Sequence, residues 1–163
     1  MDIVGAVLVS GGVGAGVAIW GLLSQRAITR RKTTFDHIAA SDRDGDVSGA
    51  RNKFIELAKK QGGLAPWADE SKEQTDEVQS IKLVLNEFEL VAIGIQRGIV
   101  DAELYKRWFR SGVIRHWQHA EPFVSVLRAR TGNPALFHEF QEMARWFQDD
   151  KMPHRRWWIG RFF

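Results

Sequence analysis

The chain has 163 residues, a formal net charge of +3 and no cysteine. Its length suits one modest domain with its own apolar core, and the lack of cysteine excludes a disulfide framework and any thiolate metal site. The charges are segregated: residues 24–32 hold four basic residues and no acidic one, residues 33–96 hold twelve acidic and seven basic residues, and residues 97–163 hold seven acidic and twelve basic residues. The chain is therefore basic, then acidic, then basic again.

The stretch GGVGAGVAIWG, residues 11–21, has the glycine content of a phosphate-binding loop. A dinucleotide fingerprint that starts at Gly12 requires a glycine at position 17, which is Val17. A P-loop requires a lysine directly after its last glycine, and the first lysine of the chain is Lys32. The spacing excludes both nucleotide-binding motifs.

The same glycines lie inside an apolar segment, Ile3–Leu23, which contains no charged residue. Its 21 residues would form a helix about 30 Å long, which matches the hydrocarbon thickness of a bilayer. We therefore predict a retained membrane-spanning helix. A cleaved signal peptide or a buried core helix is the alternative, but the segment lacks the basic start that a signal peptide usually has.

Basic residues follow the apolar segment directly. We call residues 24–32, with Arg26, Arg30, Arg31 and Lys32, the basic collar, and Trp20 stands where an interfacial aromatic residue is expected. By the positive-inside rule, the N-terminus lies outside and the rest of the chain in the cytoplasm. The predicted location is a bacterial inner membrane, in a single-pass arrangement.

Small residues give the predicted span two sides on which helix backbones approach closely. Counting at about 100° per residue places them in two roughly opposite groups, Gly5, Gly12 and Gly16 on one side and Ser10, Gly14 and Gly21 on the other. One interpretation is that the span merely tolerates its glycines. The other is that it packs between neighbouring helices, in a homo-oligomer or a larger membrane complex.

The rest of the chain is predicted to be helical, since no segment alternates with the period of a strand. The clearest pattern spans residues 74–96, where a buried stripe is predicted at Val78, Ile81, Val84, Leu85, Phe88, Val91, Ala92 and Ile95. A helix over residues 50–60 and a loop over residues 61–72 come before it. Gly98 is predicted to end the long helix and Asp101 to cap the next one.

Two further breaks are predicted near the C-terminus. The helix through residues 117–127 is expected to be interrupted or bent by Pro122. Gly132 is expected to end it, and Asn133 is expected to cap a last helix that begins at Pro134. The predicted fold class is all-α, with a span and collar (residues 1–32), a helical cytoplasmic domain (33–150) and a C-terminal tail (151–163).

The segments 86–117 and 130–147 also resemble a family of small bacterial proteins catalogued as domain of unknown function 4760. The residues that carry the resemblance are Asn86, Phe88, Glu89, Leu90, Ala92, Gly94, Gly98, Tyr105, Trp108 and Arg115. The resemblance covers about the C-terminal two-thirds of the chain. It implies one N-terminal membrane span followed by a helical domain, and it implies no activity.

Candidate metal sites are weak. Asp42, Asp44 and Asp46 have the first spacings of a calcium loop, but an EF-hand needs glycine and glutamate where the chain has Val47 and Lys53. A solvated acidic turn that caps a helix explains them better. His116 and His119 lie three residues apart on a predicted helix, a spacing that two metal ligands use, but no third ligand is evident. No cofactor is predicted.

Glu89 flanks the predicted buried stripe of the longest amphipathic helix. A buried carboxylate there would need a cation, and Arg107, Arg110 and Arg115 follow on the next segments. A functional polar site is the alternative. We predict a structural polar clasp between helices at these residues.

The tail combines cations with aromatic rings, namely Arg155, Arg156, Trp157, Trp158, Arg161, Phe162 and Phe163. Such a mixture suits the headgroup layer of an anionic membrane. Packing of the rings on the domain or on a second subunit is the alternative. Single-stranded nucleic acid, which also binds arginine and aromatic residues, is disfavoured because the domain shows no wide basic surface.

These features favour a non-catalytic, membrane-anchored interaction or scaffold subunit, with membrane lipid and other transmembrane helices as partners. No serine nucleophile motif and no cysteine is present to begin acyl-transfer chemistry. The alternatives are a membrane-tethered metal-dependent enzyme that uses His116 and His119, and a phage- or defence-related effector at the membrane.

Overall fold

The computed structural model describes the backbone of residues 3–149 and the side chains from Trp20 onward, except that of Asp42. This part of the chain contains five α-helices and no strand, so the all-α fold class is confirmed. The helices are α1 (Ile3–Arg43), α2 (Gly45–Ala58), α3 (Asp76–Gln96), α4 (Ala102–Thr131) and α5 (His138–Asp149). Two short 3-10 helices, Ala65–Ala68 and Glu70–Lys72, lie within the predicted loop.

Helix α1 continues without a break from the predicted span through the basic collar to Arg43. Its 41 residues correspond to a length of about 60 Å. The side chains of residues 3–19, which make up most of the predicted span and carry its small-residue faces apart from Gly21, lie outside the described part, as does the predicted tail. Where side chains are described, no helix combines the length and the apolar character needed to cross a bilayer.

Side-chain caps define where the helices begin. The Asp44 carboxylate accepts hydrogen bonds from the backbone N–H groups of Asp46 at 2.9 Å and Val47 at 3.3 Å, so the acidic turn caps α2 as predicted. Because this cap acts at residue 44, α2 begins earlier than the predicted residue 50. Thr75 caps α3, and Asp101 caps α4 as predicted, by accepting from the N–H of Leu104 at 3.0 Å.

The core lies between α3 and the helices around it. All eight residues of the predicted α3 stripe are buried, which confirms that stripe. Helix α3 packs on α2 on one side and on α5 on the other, and α4 also packs on α5. Phe88 of α3 stacks on Phe140 of α5 with ring centroids 4.7 Å apart, and Trp117 of α4 meets the same phenylalanine edge-on.

Two predictions near the C-terminus are wrong, the interruption of the helix at Pro122 and the start of the last helix at Pro134, whereas the predicted stop at Gly132 is confirmed. Helix α4 runs through Pro122 as one helix of 30 residues. Proline leaves the carbonyl of Gln118 without its helical partner, but both residues are exposed, so this carbonyl is accessible to solvent. Gly132 ends α4 in the left-handed conformation as predicted, with φ of 66°.

Helix α5 begins at His138, not at Pro134. Phe137 has a positive φ of 53°, which a helix does not accommodate, so the backbone passes through turns before α5 begins. The Asn133 side chain accepts from the N–H of Ala135 at 3.0 Å and stabilises that turn instead of the helix start.

Two glycines of the helical core give a matched test of packing. A Cβ added at Gly94 would lie 2.9 Å from Cγ2 of Val100, in the turn whose Ile99 and Val100 N–H groups both bond the Gly94 carbonyl. We expect Gly94→Ala to destabilise the fold by about 1–3 kcal/mol, because a β-branched side chain and its turn must shift.

The control is Gly112→Ala in the middle of α4, where the added Cβ would meet only Phe109 Cδ1 at 3.7 Å. Alanine favours the helix there by about 0.5–1 kcal/mol. We expect the midpoint temperature of thermal unfolding, measured by circular dichroism, to be lower for Gly94→Ala and higher for Gly112→Ala than for the original chain. Equal shifts of the two midpoints would contradict the close approach at Gly94.

Candidate functional site

Helix α1 is fixed to the domain by a buried threonine. The Thr34 hydroxyl, which is 0% exposed, donates to the Arg30 carbonyl at 2.7 Å and accepts from the backbone N–H of Asp101 at 2.8 Å. Arg31 adds an ion pair to the Asp101 carboxylate, with 3.7 Å between Nε and Oδ2. The collar therefore lies directly beside the turn that joins α3 to α4.

A polar pair lies between α2 and α3. Arg51 donates through Nε to Glu87 Oε2 at 3.2 Å, and its second guanidinium nitrogen contacts Oε1 of the same carboxylate. Both side chains are largely buried, at 19% and 11% exposed. Burial, and then the Glu87 charge, raise the pKa of the neighbouring Tyr105 phenol well above its ordinary range. The pair thus holds α2 on α3 through a charge-assisted, two-point hydrogen bond.

His116 lies in the core. Its ring packs between Phe54 and Phe88, with centroid distances of 5.4 and 5.1 Å, and its Nδ1 bonds the Gly112 carbonyl at 2.7 Å. Because Nδ1 then carries the proton, Nε2 is an acceptor, and it is buried without a hydrogen-bond partner. Burial, together with the charges of Arg115 and Arg51, lowers the pKa of His116, and the bond to Gly112 only partly opposes this.

His119 lies one turn further along α4 and is half-buried. Within the described residues, no three side chains of the His, Asp or Glu type lie close enough together to hold a metal ion. Of the two weak metal candidates, His116 thus packs among aromatic rings of the core, whereas His119 is only half-buried.

Glu89 has a different partner from the predicted one. Its carboxylate accepts from the backbone N–H groups of Phe140 at 2.7 Å and Glu139 at 3.3 Å, at the start of α5. It thus caps a helix 50 residues further along the chain, where the helix dipole favours an anion. Burial raises the pKa of Glu89, and the two backbone hydrogen bonds partly offset that effect.

The three arginines proposed for the clasp lie elsewhere. Arg107 pairs with Glu103 on the surface of α4, with 3.1 Å between Nε and Oε1, and Arg115 is exposed. Arg110 donates to the Phe147 carbonyl at 2.9 Å, near the end of α5. The predicted pairing of Glu89 with these arginines is therefore not seen: Glu89 of α3 binds backbone groups at the start of α5, and Arg110 of α4 binds a backbone carbonyl near its end.

Sequence reasoning missed a surface on α3. Six exposed residues follow each other at spacings of four and three, and we call them the α3 outer stripe: Gln79, Leu83, Asn86, Leu90, Ile93 and Arg97. The three aliphatic side chains are 38%, 65% and 39% exposed in chain order. The heptad spacing was visible in the sequence, but the stronger stripe on the opposite face of α3 concealed it. An open groove towards α2, lined by Gly45, Gly49 and Leu83 among others, adjoins the stripe.

The cap on α5 provides a test with an internal control. Glu89→Ala removes the acceptor for two helix N–H groups and is expected to cost about 1–2 kcal/mol of unfolding free energy. Glu89→Gln keeps one acceptor oxygen, which is able to serve the shorter bond from Phe140, but its amide nitrogen then faces the Glu139 N–H, so we expect a loss smaller than that of alanine. Urea unfolding measures both. If glutamine destabilised the fold as much as alanine, one neutral acceptor oxygen would be insufficient to cap α5, and both oxygens of the carboxylate would be required.

His116 predicts a pH dependence. Its pKa is lower in the folded chain than the unfolded value of about 6.5, so below that pH the unfolded chain binds more protons. Stability is therefore expected to fall as the pH drops through this region. The phenylalanine of His116→Phe does not titrate, and the variant is expected to lose less stability than the original chain.

The control is His119→Phe on the same helix, which is expected to keep the full acid-dependent loss. The measurement is the unfolding midpoint above and below pH 6.5. A loss of the same size in the His116→Phe variant would show that this buried ring does not contribute to the pH dependence.

Comparison with models of known protein families identifies the family of this chain. The model of the family described as Domain of unknown function (DUF4760) matches residues 8–147. The match starts inside the predicted span, further towards the N-terminus than the motif residues indicated, and it stops before the C-terminal tail. Comparisons with curated proteins and with solved structures give no match. Since the matched region covers far more than half of its length, the chain belongs to the domain of unknown function (DUF4760) family.

Proposed function

We propose that the protein is a non-catalytic, membrane-anchored interaction or scaffold subunit. In this proposal residues 3–23 cross a bacterial inner membrane once, with the N-terminus outside and the helical domain in the cytoplasm. The observation that carries the proposal is the continuity of α1, which is a single helix from Ile3 to Arg43. A continuous helix suits a subunit that holds a domain in a fixed position relative to the membrane.

The way in which α1 meets the domain supports this proposal. Thr34, Ile38 and Ser41 are buried at spacings of four and three, so the last turns of α1 present one face to the domain. Further towards the N-terminus, Trp20, Leu22 and Leu23 are 72%, 61% and 49% exposed. These apolar side chains suit an environment other than water, which the bilayer and its interface supply.

The roles of the polar side chains favour a protein-binding function over a catalytic one. The titratable side chains described above, Arg51 with Glu87, Glu89 and His116, each make a contact that holds two segments of the fold together. The α3 outer stripe, in contrast, presents aliphatic side chains outward along one helix face. Exposed apolar residues at heptad spacing are typical of a helix that packs on another helix.

We propose that the α3 outer stripe binds the same stripe of a second copy of this chain. Its central polar residue, Asn86, carries an amide that both donates and accepts, so it is able to pair with Asn86 of a second copy. Among the six residues only Arg97, at the end, is charged. Anchoring in one membrane raises the local concentration of copies, which lets a narrow stripe associate. The small-residue sides of the predicted span, through Gly12 and Gly16 above all, would add close packing within the bilayer.

The test combines membrane retention with cross-linking. The full chain is expected to stay in the membrane fraction after an alkaline carbonate wash, since a spanning helix is not released by pH. In the same membranes, Leu90→Cys introduces the sole cysteine of the chain, and mild oxidation is expected to yield a disulfide-linked dimer.

The matched control is Val126→Cys, at a residue of α4 that is 44% exposed and lies outside the stripe. It is expected to remain monomeric on oxidation. Leu90→Glu is expected to reduce chemical cross-linking of the dimer several-fold, while Val126→Glu leaves it unchanged. Release by carbonate would overturn the anchor, and equal dimer yields from the two cysteines would overturn the stripe.

A further inference from the structure

The groove between α2 and α3 contains two glycines that the described part of the fold does not require. Gly45 and Gly49 lie one helical turn apart on α2, and both are exposed. A Cβ added at either position would meet nothing within 4 Å, whereas a Cβ at Gly94 would lie 2.9 Å from Val100. Glycine destabilises a helix relative to alanine. The two glycines of α2 therefore indicate space for the close approach of another helix.

The size and shape of the groove suit a row of side chains from a helix. Its volume is about 850 Å³, and it is open to solvent along one side. A pocket for a small molecule encloses most of the surface of its ligand, which this open groove does not. Gly45, Gly49 and Ala50 of α2 line one side, and Leu83 and Asn86 of α3 line the other. Side chains of a further helix pack into such a groove between two helices.

The groove is continuous with the α3 outer stripe, because Gln79, Leu83 and Asn86 belong to both. The pairing proposed above sets Asn86 and Leu90 against the same residues of a second copy, so equal positions of the two α3 helices meet. Leu83 of the second copy then lies beside Leu83 of the first, at the edge of the groove. A helix that binds the stripe therefore covers the groove as well, and Gly49 leaves room for its side chains.

The charges at one end of the groove support the same occupant. The exposed Asp76 continues the spacing of the stripe by one step at its N-terminal end. Two lysines line the groove there and pair with the glutamates that flank Asp76 in the sequence: Lys53 with Glu77, at 3.5 Å between Nζ and Oε1, and Lys82 with Glu73, at 2.9 Å. A second copy that lies along the groove brings its own Asp76 towards these lysines, so opposite charges meet.

We propose that the groove between α2 and α3 receives α3 of the second copy, whose side chains lie over Gly45 and Gly49. This inference rests on the proposed self-association and adds a second surface to it, the glycine side of α2. By the symmetry of a contact between two copies, each copy fills the groove of the other. Both α2 and α3 of each copy then take part, and the contact is wider than a single stripe.

Filling the groove tests this inference. In membranes that contain the full chain, Gly49→Leu is expected to reduce chemical cross-linking of the dimer several-fold, because the leucine occupies the space that the second copy needs. The matched control is Ser48→Leu, at the neighbouring exposed position of α2, outside the groove. It is expected to leave the cross-linking unchanged. Neither variant is expected to lower the midpoint of thermal unfolding, since leucine favours a helix more than glycine or serine does.

A cysteine pair measures the contact directly. Because the chain has no cysteine of its own, a Gly49→Cys chain and a Leu83→Cys chain, with tags of different size, are produced together in the same membranes. Mild oxidation is expected to link the two chains in a mixed disulfide dimer. Ser48→Cys in place of Gly49→Cys is expected to give several-fold less of the mixed dimer.

The outcomes separate this inference from the proposed function. A dimer that Leu90→Glu disrupts, but that Gly49→Leu leaves as strong as Ser48→Leu does, would show that the groove stays empty; the inference is then overturned and the stripe contact stands. If the original chain forms no dimer, the self-association itself is wrong. Should Gly49→Leu unfold the chain, the mixed disulfide decides, and equal yields from Gly49→Cys and Ser48→Cys would overturn the inference.

Discussion

Asp101 joins three helices, and much of the arrangement of the fold depends on it. Its side chain caps α4, its backbone N–H reaches the buried hydroxyl of Thr34 on α1, and its carboxylate meets Arg31 of the collar. The turn that contains Asp101 is held by hydrogen bonds from the Ile99 and Val100 N–H groups to the carbonyl of Gly94, near the end of α3. Because a buried N–H that loses its acceptor costs about 1–3 kcal/mol, the α1 junction is a specified contact and not a loose tether.

A second constraint acts at the other helix ends. Helix α5 is short, and polar side chains from elsewhere in the chain bind its backbone at both ends, Glu89 at its start and Arg110 near its finish. Between these ends its aromatic residues fill the core against Phe88, Tyr105 and Trp117. Glu89 is half-buried, whereas Arg110 is exposed, so burial bears on the choice of a charged partner at the start of α5. Backbone groups at a helix terminus must be satisfied, and charged partners satisfy them most strongly where water is scarce.

Features that depend on residues close together in the sequence were predicted correctly. Features that depend on contacts between distant residues were not. The buried stripe of α3, the caps at Asp44 and Asp101 and the stop at Gly132 follow from spacing and side-chain chemistry within a few residues. The start of α5 was misplaced because its cap, Glu89, lies on another helix. The interruption predicted at Pro122 does not occur, and the exposure of the unbonded carbonyl, which a sequence does not show, is a tertiary property. The clasp was assigned to ion pairs because a sequence shows charged side chains but not the helix ends that they bind. The α3 outer stripe was missed because it is the weaker of two patterns on one helix.

Continuity of α1 has a consequence for geometry. Each residue of a helix adds a rotation of about 100° and a rise of about 1.5 Å. Because α1 is a single helix, the angle between the face that contacts the domain and any face of its N-terminal part is fixed. By this helical count, Gly12 and Gly16 fall within roughly 40° of Thr34. One residue inserted in the collar would rotate the domain by about 100° relative to the N-terminal part of α1. An insertion of seven residues would almost restore the original orientation. The collar therefore sets the rotation of the domain about the axis of α1 in addition to carrying positive charge. Its number of residues is then as important as its arginines.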